Sequence, residues 1–411
     1  MTISTLMHSD DRITQSARGD AGLFPREHRR SIILFCAVIF FFWSALYLFV
    51  PTLPVHAQSL GASFSLVGIV IAFYGIPQFL LRIPIGIWFD SINRHKPLLV
   101  IGLLLSSIGV LGLGLAPSPW WLCAARGVTG IGAATWLTFA VYLTAYYPQG
   151  RVGRAIGLAN FMQNITVLVA SVLGGAMVDS WGFKTTCYVA SALGLLGLGA
   201  LSLTREPPIS RQEENPWNSF SKVITRPLLL ISSGIALLLQ FAIFSSTFSF
   251  MTVFGTKIGA SATDLGILTM LSVGASALIS LVVINIAERW GYSFTIILGA
   301  VLAGASLVVI PTINTVFLLD IAQFVGGLGR GMLGTISMTM AIEAVAPRQR
   351  ATAMGFYQAV YAIGMLSGPL LSGYLAESQG LAAVFYLSSG LCLVIVLMAF
   401  FPVWNHHIKV R

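Results

Sequence analysis

Twelve apolar runs, each close to the length of a membrane-crossing helix, divide the chain between positions 31 and 402. They fall near 31–52, 64–88, 98–116, 120–147, 155–178, 185–203, 227–253, 264–287, 294–311, 316–345, 352–376 and 383–402. A bilayer core takes roughly 20 residues of helix, and runs this long satisfy their backbone polar groups in lipid only as helices. The charge supply agrees: 56% of the 411 residues are hydrophobic and 9% charged, with mean hydropathy +0.86, against about 25% charged in soluble domains. So few charges cannot make a water-facing surface, and the lipid bilayer is the expected partner of most of it. A soluble enzyme, a nucleic-acid binder and a disordered scaffold are excluded.

The positions of the charges predict an orientation. With the N-terminus in the cytoplasm, eighteen Lys and Arg lie in cytoplasmic segments and two, Lys184 and Lys257, in outer loops. Arg82, Arg126 and Arg330 fall within spans. This asymmetry follows the positive-inside rule. It puts both termini in the cytoplasm and accounts for most of the +9 net charge without nucleic acid. Cys36, Cys123, Cys187 and Cys392 each sit in an apolar run, where buried inert thiols are expected and a disulfide framework is not. The polar first thirty residues lack the apolar region of a signal peptide and read as a tail. The expected division is therefore a tail over 1–30, a six-helix bundle over 31–203, a cytoplasmic linker over 204–226, a second bundle over 227–402 and a tail over 403–411.

The two halves repeat. A shift of 198 residues puts Gly61-Ala62-Ser63 on Gly259-Ala260-Ser261, Gly68 on Gly266, Asp90 on Glu288, Gly157 on Gly355, Gly175 on Gly373 and Gly182 on Gly380. A single register over most of both halves implies two bundles of similar fold. Parallel repeats of this kind are a transporter architecture with the substrate site between the halves. The fold class expected is an all-α membrane protein of twelve helices in two pseudo-symmetric bundles.

Three motifs carry a resemblance. The loop after the second run contains Gly86, Asp90 and Arg94 in the spacing of the G-x-x-x-D-R-x-G-R-K signature of the major facilitator superfamily, with Ser91 and Asn93 departing from it. Its repeat mate supplies Glu288, Arg289 and Gly291. The fourth run, from Arg126 to Ala134, resembles the family's R-x-x-Q-G-x-G-A-A signature with Thr129 at the Gln position. In the eleventh, Gly364, Gly368, Pro369 and Gly373 resemble the antiporter signature G-x-x-x-G-P-x-x-G-G, which usually belongs to helix 5. The chain is thus most similar to the twelve-helix drug:proton antiporter group of that superfamily. The resemblance implies a transporter and not an enzyme, and gives Arg126 a role in coupling.

The residues themselves suggest further roles. Asp90 ends the second span where, in the pseudo-symmetric arrangement, the eleventh begins. A carboxylate at a helix N-terminus gains about 0.3–1 kcal/mol, so Gly86, Asp90, Arg94, Glu288, Arg289 and Gly291 form an expected cytoplasmic latch that biases the equilibrium outward. Glu343 is expected to pair with Arg289 or Arg348. Arg126 lies two turns inside its span, where a guanidinium costs about 2.5–3.5 kcal/mol unless it meets a cavity or a partner. It either binds an anionic substrate, tunes a proton site or ties neighbouring helices. Arg330 is open between a substrate contact and a helix brace. Arg82 is expected to snorkel to the cytoplasmic surface.

Asn160, Gln163 and Asn164 share one helical face and should point inward, since unpaired amides are costly in lipid. Gln358 and Tyr361 stand 198 residues after Asn160 and Gln163. Tyr47, Gln78 and Gln240 are further cavity candidates. The resulting pocket of amides, aromatics and aliphatics suits an amphiphilic or weakly anionic solute. The clear carboxylates within spans, away from the run that opens at Asp264, are Asp320 and Glu343. With Arg126 they are the coupling candidates, although the first, fourth and fifth runs carry no acid. No ATP-binding loop is present, the six histidines lie in tails or loops, and no metal or cofactor is expected.

The expected function is secondary transport of a small organic solute, with protons as the partner, by a monomer in the cell (inner) membrane. Alternating access with proton-coupled efflux leads. An importer on the same fold is the alternative, and a passive channel or a polytopic membrane enzyme follow at a distance. Substrate identity, direction and coupling ion are not written in the sequence.

Overall fold

A computed structural model describes residues 28–91, 96–147, 152–206, 223–346 and 349–400. The described residues form twelve helices, one over each apolar run. α1 runs Arg29–Tyr47 and continues through a 3-10 turn to Leu53–Ser59; α2 is Phe64–Ala72 with Gly75–Ser91; α3 is Lys96–Gly114; α4 is Pro119–Ala134 with Trp136–Thr144. α5 (152–181) and α6 (183–202) are parted by Gly182 alone, whose φ of 80° breaks the helix. α7 is Pro227–Lys257, interrupted by a π segment at Ile243–Phe250; α8 is Ala262–Ser280 with Val283–Trp290. α9 is Tyr292–Val309, α10 Val316–Glu343, α11 Arg350–Gln379 and α12 Leu381–Met398.

The repeat seen in the sequence has a structural basis. Gly61 and Gly259 take φ of 89° and 91°, and Gly182 and Gly380 take 80° and 87°, conformations that a Cβ disfavours. Ser63 and Ser261 cap α2 and α8, accepting from the N–H of Leu66 and Asp264. Each pair is 198 residues apart. The turn that enters the second helix of each half and the turn that leaves the fifth are therefore built alike.

Within each half, small residues let backbones approach in the way membrane helices require. Gly132 faces Ser106 between α4 and α3, and Gly329 faces Gly299 and Ala303 between α10 and α9. Gly364 and Gly368 lie on the α7 backbone at Leu237 and Phe241. Aromatic rings fill the first half, with Phe42 and Phe139 stacked at 4.5 Å and Phe35 4.9 Å from Tyr142. Large apolar side chains such as Leu281, Phe317 and Leu397 face outward, toward lipid.

The halves meet chiefly through two helix pairs, α2 with α11 and α5 with α8, with smaller contacts of α1 and α2 on α7 and of α1 on α8. These contacts also follow the repeat. Gly68 lies on the carbonyl of Pro369, and Gly266 on the carbonyl of Ser171; Gly373 abuts Phe64 and Ser65, while Gly175 abuts Ala262 and Thr263. All of them lie toward the end of the bundle opposite the start of α1 and the end of α12, here the far end. Toward the other end the glycine contacts between the halves stop among the described residues. Gly157 and Gly355, three and a half to four turns beyond the last of these contacts on α5 and α11, have no neighbour within 4 Å of a built Cβ.

Candidate functional site

Midway along α1, α2, α4 and α11, polar and aromatic side chains converge between the halves. Arg82 donates from Nη1 to the Tyr361 hydroxyl at 2.6 Å and to Gln358 Oε1 at 3.5 Å, and from Nη2 to Gln78 Oε1 at 2.7 Å. Gln78, buried, donates in turn to the Tyr74 carbonyl at 3.1 Å. Arg82 therefore does not snorkel to a surface. It joins α2 to α11 across the interface, where three neutral oxygens satisfy it more fully than a long reach to water. Tyr47 stands within electrostatic range of Arg82, Arg126, Tyr74 and Tyr361, and its ring is 6.0 Å from Phe248 of α7.

Arg126 is 3% exposed. Its guanidinium carbon lies 4.2 Å from the Tyr74 ring centroid and 5.6 Å from that of Phe49. Its Nε and Nη1 are buried with no hydrogen-bond partner. A desolvated cation–π contact gives back about 2 kcal/mol, part of the burial cost, but it supplies no acceptor for the N–H groups.

The far end is held by a clamp. Asp179, at the end of α5, accepts the backbone N–H of Ala262 at 3.0 Å on Oδ1, and both the N–H and hydroxyl of Thr263 on Oδ2, at 2.8 and 2.6 Å. With Ser261 capping Asp264, three of the four orphan N–H groups of the first turn of α8 are satisfied, two of them from the other half. Glu377 does the same at the end of α11, accepting the Ser65 N–H of α2 at 3.2 Å. Asp179 and Glu377 are 198 residues apart, as are Ala262 and Phe64. Neither acid was picked out by its own motif; the repeat register is the signal that would have found them.

A family model described as Major Facilitator Superfamily matches residues 34–261 and 234–409, which together cover nearly all of both bundles. The chain belongs to the major facilitator superfamily. Among relatives, it is 23% identical over 85% of its length to a multi-drug resistance efflux pump homologue of Lactococcus lactis, covering 88% of that protein. It is 24% identical over 86% to a probable sugar efflux transporter of Pasteurella multocida, covering 87%. In fold it is similar to a bacterial homologue of the human lysosomal transporter Spinster, in an inward-facing and occupied conformation. There the TM-score is 0.77 at 17% identity, over 92% of this chain and 97% of that one.

As a transporter of this superfamily, the chain places its other motif residues as follows. Arg94 lies outside the described residues, and Gly86 and Asp90 are described in backbone only, so the latch contact is not on view. Gly291 ends α8 with φ of 87°, and Arg289 lies 5.9 Å from the Trp290 ring. Glu288 ends α8 beside it. Glu343 accepts from the Tyr292 hydroxyl at 2.9 Å, since Tyr292 opens α9 against the end of α10, and Arg289 lies over Trp290; Arg348, the other expected partner, lies outside the described residues. Arg330 is 5% exposed and donates to Ser272 Oγ at 2.7 Å and Gln323 Oε1 at 2.8 Å, which makes it a brace between α10 and α8. Asp320 keeps Oδ1 buried without a partner. Gln240 is half-buried, and Asn160 and Asn164 are exposed with Gln163 between. Asn164 and Asn160 lie on the α5 face that packs on α8 at Gly175 and Ser171, about two and three turns beyond Ser171. Their exposure records the separation of the halves, and the structure does not bring them to the Arg82 cluster as it does Gln358 and Tyr361.

Proposed function

We propose that this chain is a secondary active transporter that exports a small organic solute through the cell (inner) membrane by alternating access, in exchange for protons. The observation that carries this reading is the unequal contact between the halves. They are pressed together by glycine contacts and two carboxylate caps at the far end, and they part toward the end that bears the termini. The positive-inside asymmetry puts the termini in the cytoplasm, so this is the inward-open arrangement. A central polar cluster bridged by Arg82 then lies where a solute enters from the cytoplasm.

The direction is supported by the relatives described as efflux proteins. For coupling, Asp320 is the candidate proton carrier, a carboxyl within a span whose Oδ1 is buried without a hydrogen-bond partner. Proteoliposomes holding the purified chain, with an imposed pH gradient and a panel of labelled solutes, test the reading. Accumulation of a solute against its gradient, collapsing with the pH gradient and lost in Asp320→Asn, is expected. Downhill flux alone identifies a channel, and solute movement with the proton identifies an importer.

A further inference from the structure

We infer that the solute is an organic anion with a flat or apolar body, and that Arg126 and Arg82 hold its charge. The inference rests on the transport reading above and names the substrate class of that same central cluster. Arg126 is fully enclosed, yet two of its nitrogens are donors with nothing to donate to. A second buried donor near the same place, Trp43 Nε1, also lacks an acceptor, and the Trp43 ring lies 5.4 Å from that of Tyr47. Arg82 adds a second positive charge whose described partners are all neutral. The span carboxylates lie elsewhere: Asp320 nears Asp264 at the far end, and Glu343 is bound at the other end by Tyr292.

The cluster is thus rich in positive charge and in unmet donors, and poor in acceptors. Buried polar groups in folded proteins are paired, and an orphan calls for an account. An internal carboxylate would answer it permanently; none does among the described residues. A carboxylate, sulfonate or phosphate on the solute would answer it only when bound. The rings of Tyr74 and Phe49 lie against the Arg126 guanidinium and Tyr47 lies beside Phe248, surroundings that fit an apolar or aromatic body. A cationic drug would meet two guanidinium groups and no acid.

The test needs no knowledge of the natural solute. The full chain is purified in a neutral detergent, and its thermal midpoint is measured with benzoate and 2-naphthoate, with the neutral benzamide and with cationic benzylammonium, at matched ionic strength. The carboxylates are expected to raise the midpoint by about 2 °C or more, and the other two not. Arg126→Met is expected to raise the midpoint of the unliganded protein, because replacing an uncompensated buried charge by an apolar group stabilises, and to abolish the carboxylate response. Equal effects from all four probes, or no effect from either carboxylate, overturn the inference on the unaltered protein alone. A lowered midpoint in unliganded Arg126→Met overturns it too, as the mark of a structural tie. Repeating the series in phosphatidylcholine discs with added phosphatidylglycerol separates sources: loss of the benzoate response there assigns the site to a lipid headgroup and overturns the solute reading. Transport itself is read separately, by the proteoliposome assay, so a failed anion series leaves the transport reading standing.

Discussion

At the scale of single residues, two arginines of the same half have opposite circumstances and should answer mutation with opposite sign. Arg82 binds three side-chain oxygens, and a hydrogen bond to a charged group contributes about 1.5–3 kcal/mol. Arg82→Met strands Gln78, Gln358 and Tyr361, and is expected to lower the thermal midpoint of the purified chain by several degrees, where Arg126→Met raises it. A midpoint unchanged in Arg82→Met would show that the bridge contributes nothing to holding α2 on α11. The cost of a guanidinium in lipid announced that Arg126 must be enclosed, and the sequence carried that much. It could not assign Arg82, because the groups that satisfy it across the interface lie 276 and 279 residues away. Distance from the nearest loop was the sole local guide, and it pointed to the surface. Arg330 shows the same limit, since Ser272 stands 58 residues from it on another helix.

At the scale of helices, the interface depends on residues without side chains and on acids at helix ends. A Cβ at Gly68 would strike the Pro369 carbonyl, and one at Gly266 the Ser171 carbonyl; both obstacles are backbone and cannot swing aside. Gly68→Val and Gly266→Val are therefore expected to hold the far end open, read as faster alkylation of a cysteine placed at Thr263 by an impermeant thiol reagent from outside. No rate change in either would mean that these contacts do not govern closure. Asp179→Asn and Glu377→Gln should act in the same direction and more weakly. Each removes a carboxylate from a helix N-terminus, an interaction of about 0.3–2 kcal/mol, so far-end labelling of a cysteine at Ser65 rises by a factor between about 1.7 and about 30, with the two effects multiplying. The glycines were legible as a repeat, and so was each helix. What the repeat could not say by itself is that Gly68 touches Pro369 rather than a neighbour in its own half, because register gives equivalence of positions and not contact.

At the scale of the molecule, the far-end clamp and the Asp90 latch are two ends of one balance. If each half moves as a rigid body, closing one end parts the other, so a contact that forms in only one arrangement shifts the population by its own free energy. Asp179 and Glu377 favour the arrangement described above, with the far end shut. Asp90, placed by sequence at the opposite end of α2, is expected from its latch reading to favour the other. Asp90→Asn is then expected to slow transport and to lower far-end labelling at Ser65→Cys, the reverse of what Asp179→Asn does. Combining Asp90→Asn with Asp179→Asn removes one weight from each side and should return labelling toward the unaltered level while each single change still displaces it. Labelling that rises in both single variants, or a double variant that adds to either one, would mean that the two ends are not coupled through rigid halves. Cysteines at Lys96 and at Arg226, labelled by the same impermeant reagent, check the frame in which all of this is set, since both must be reached from the same face of the membrane.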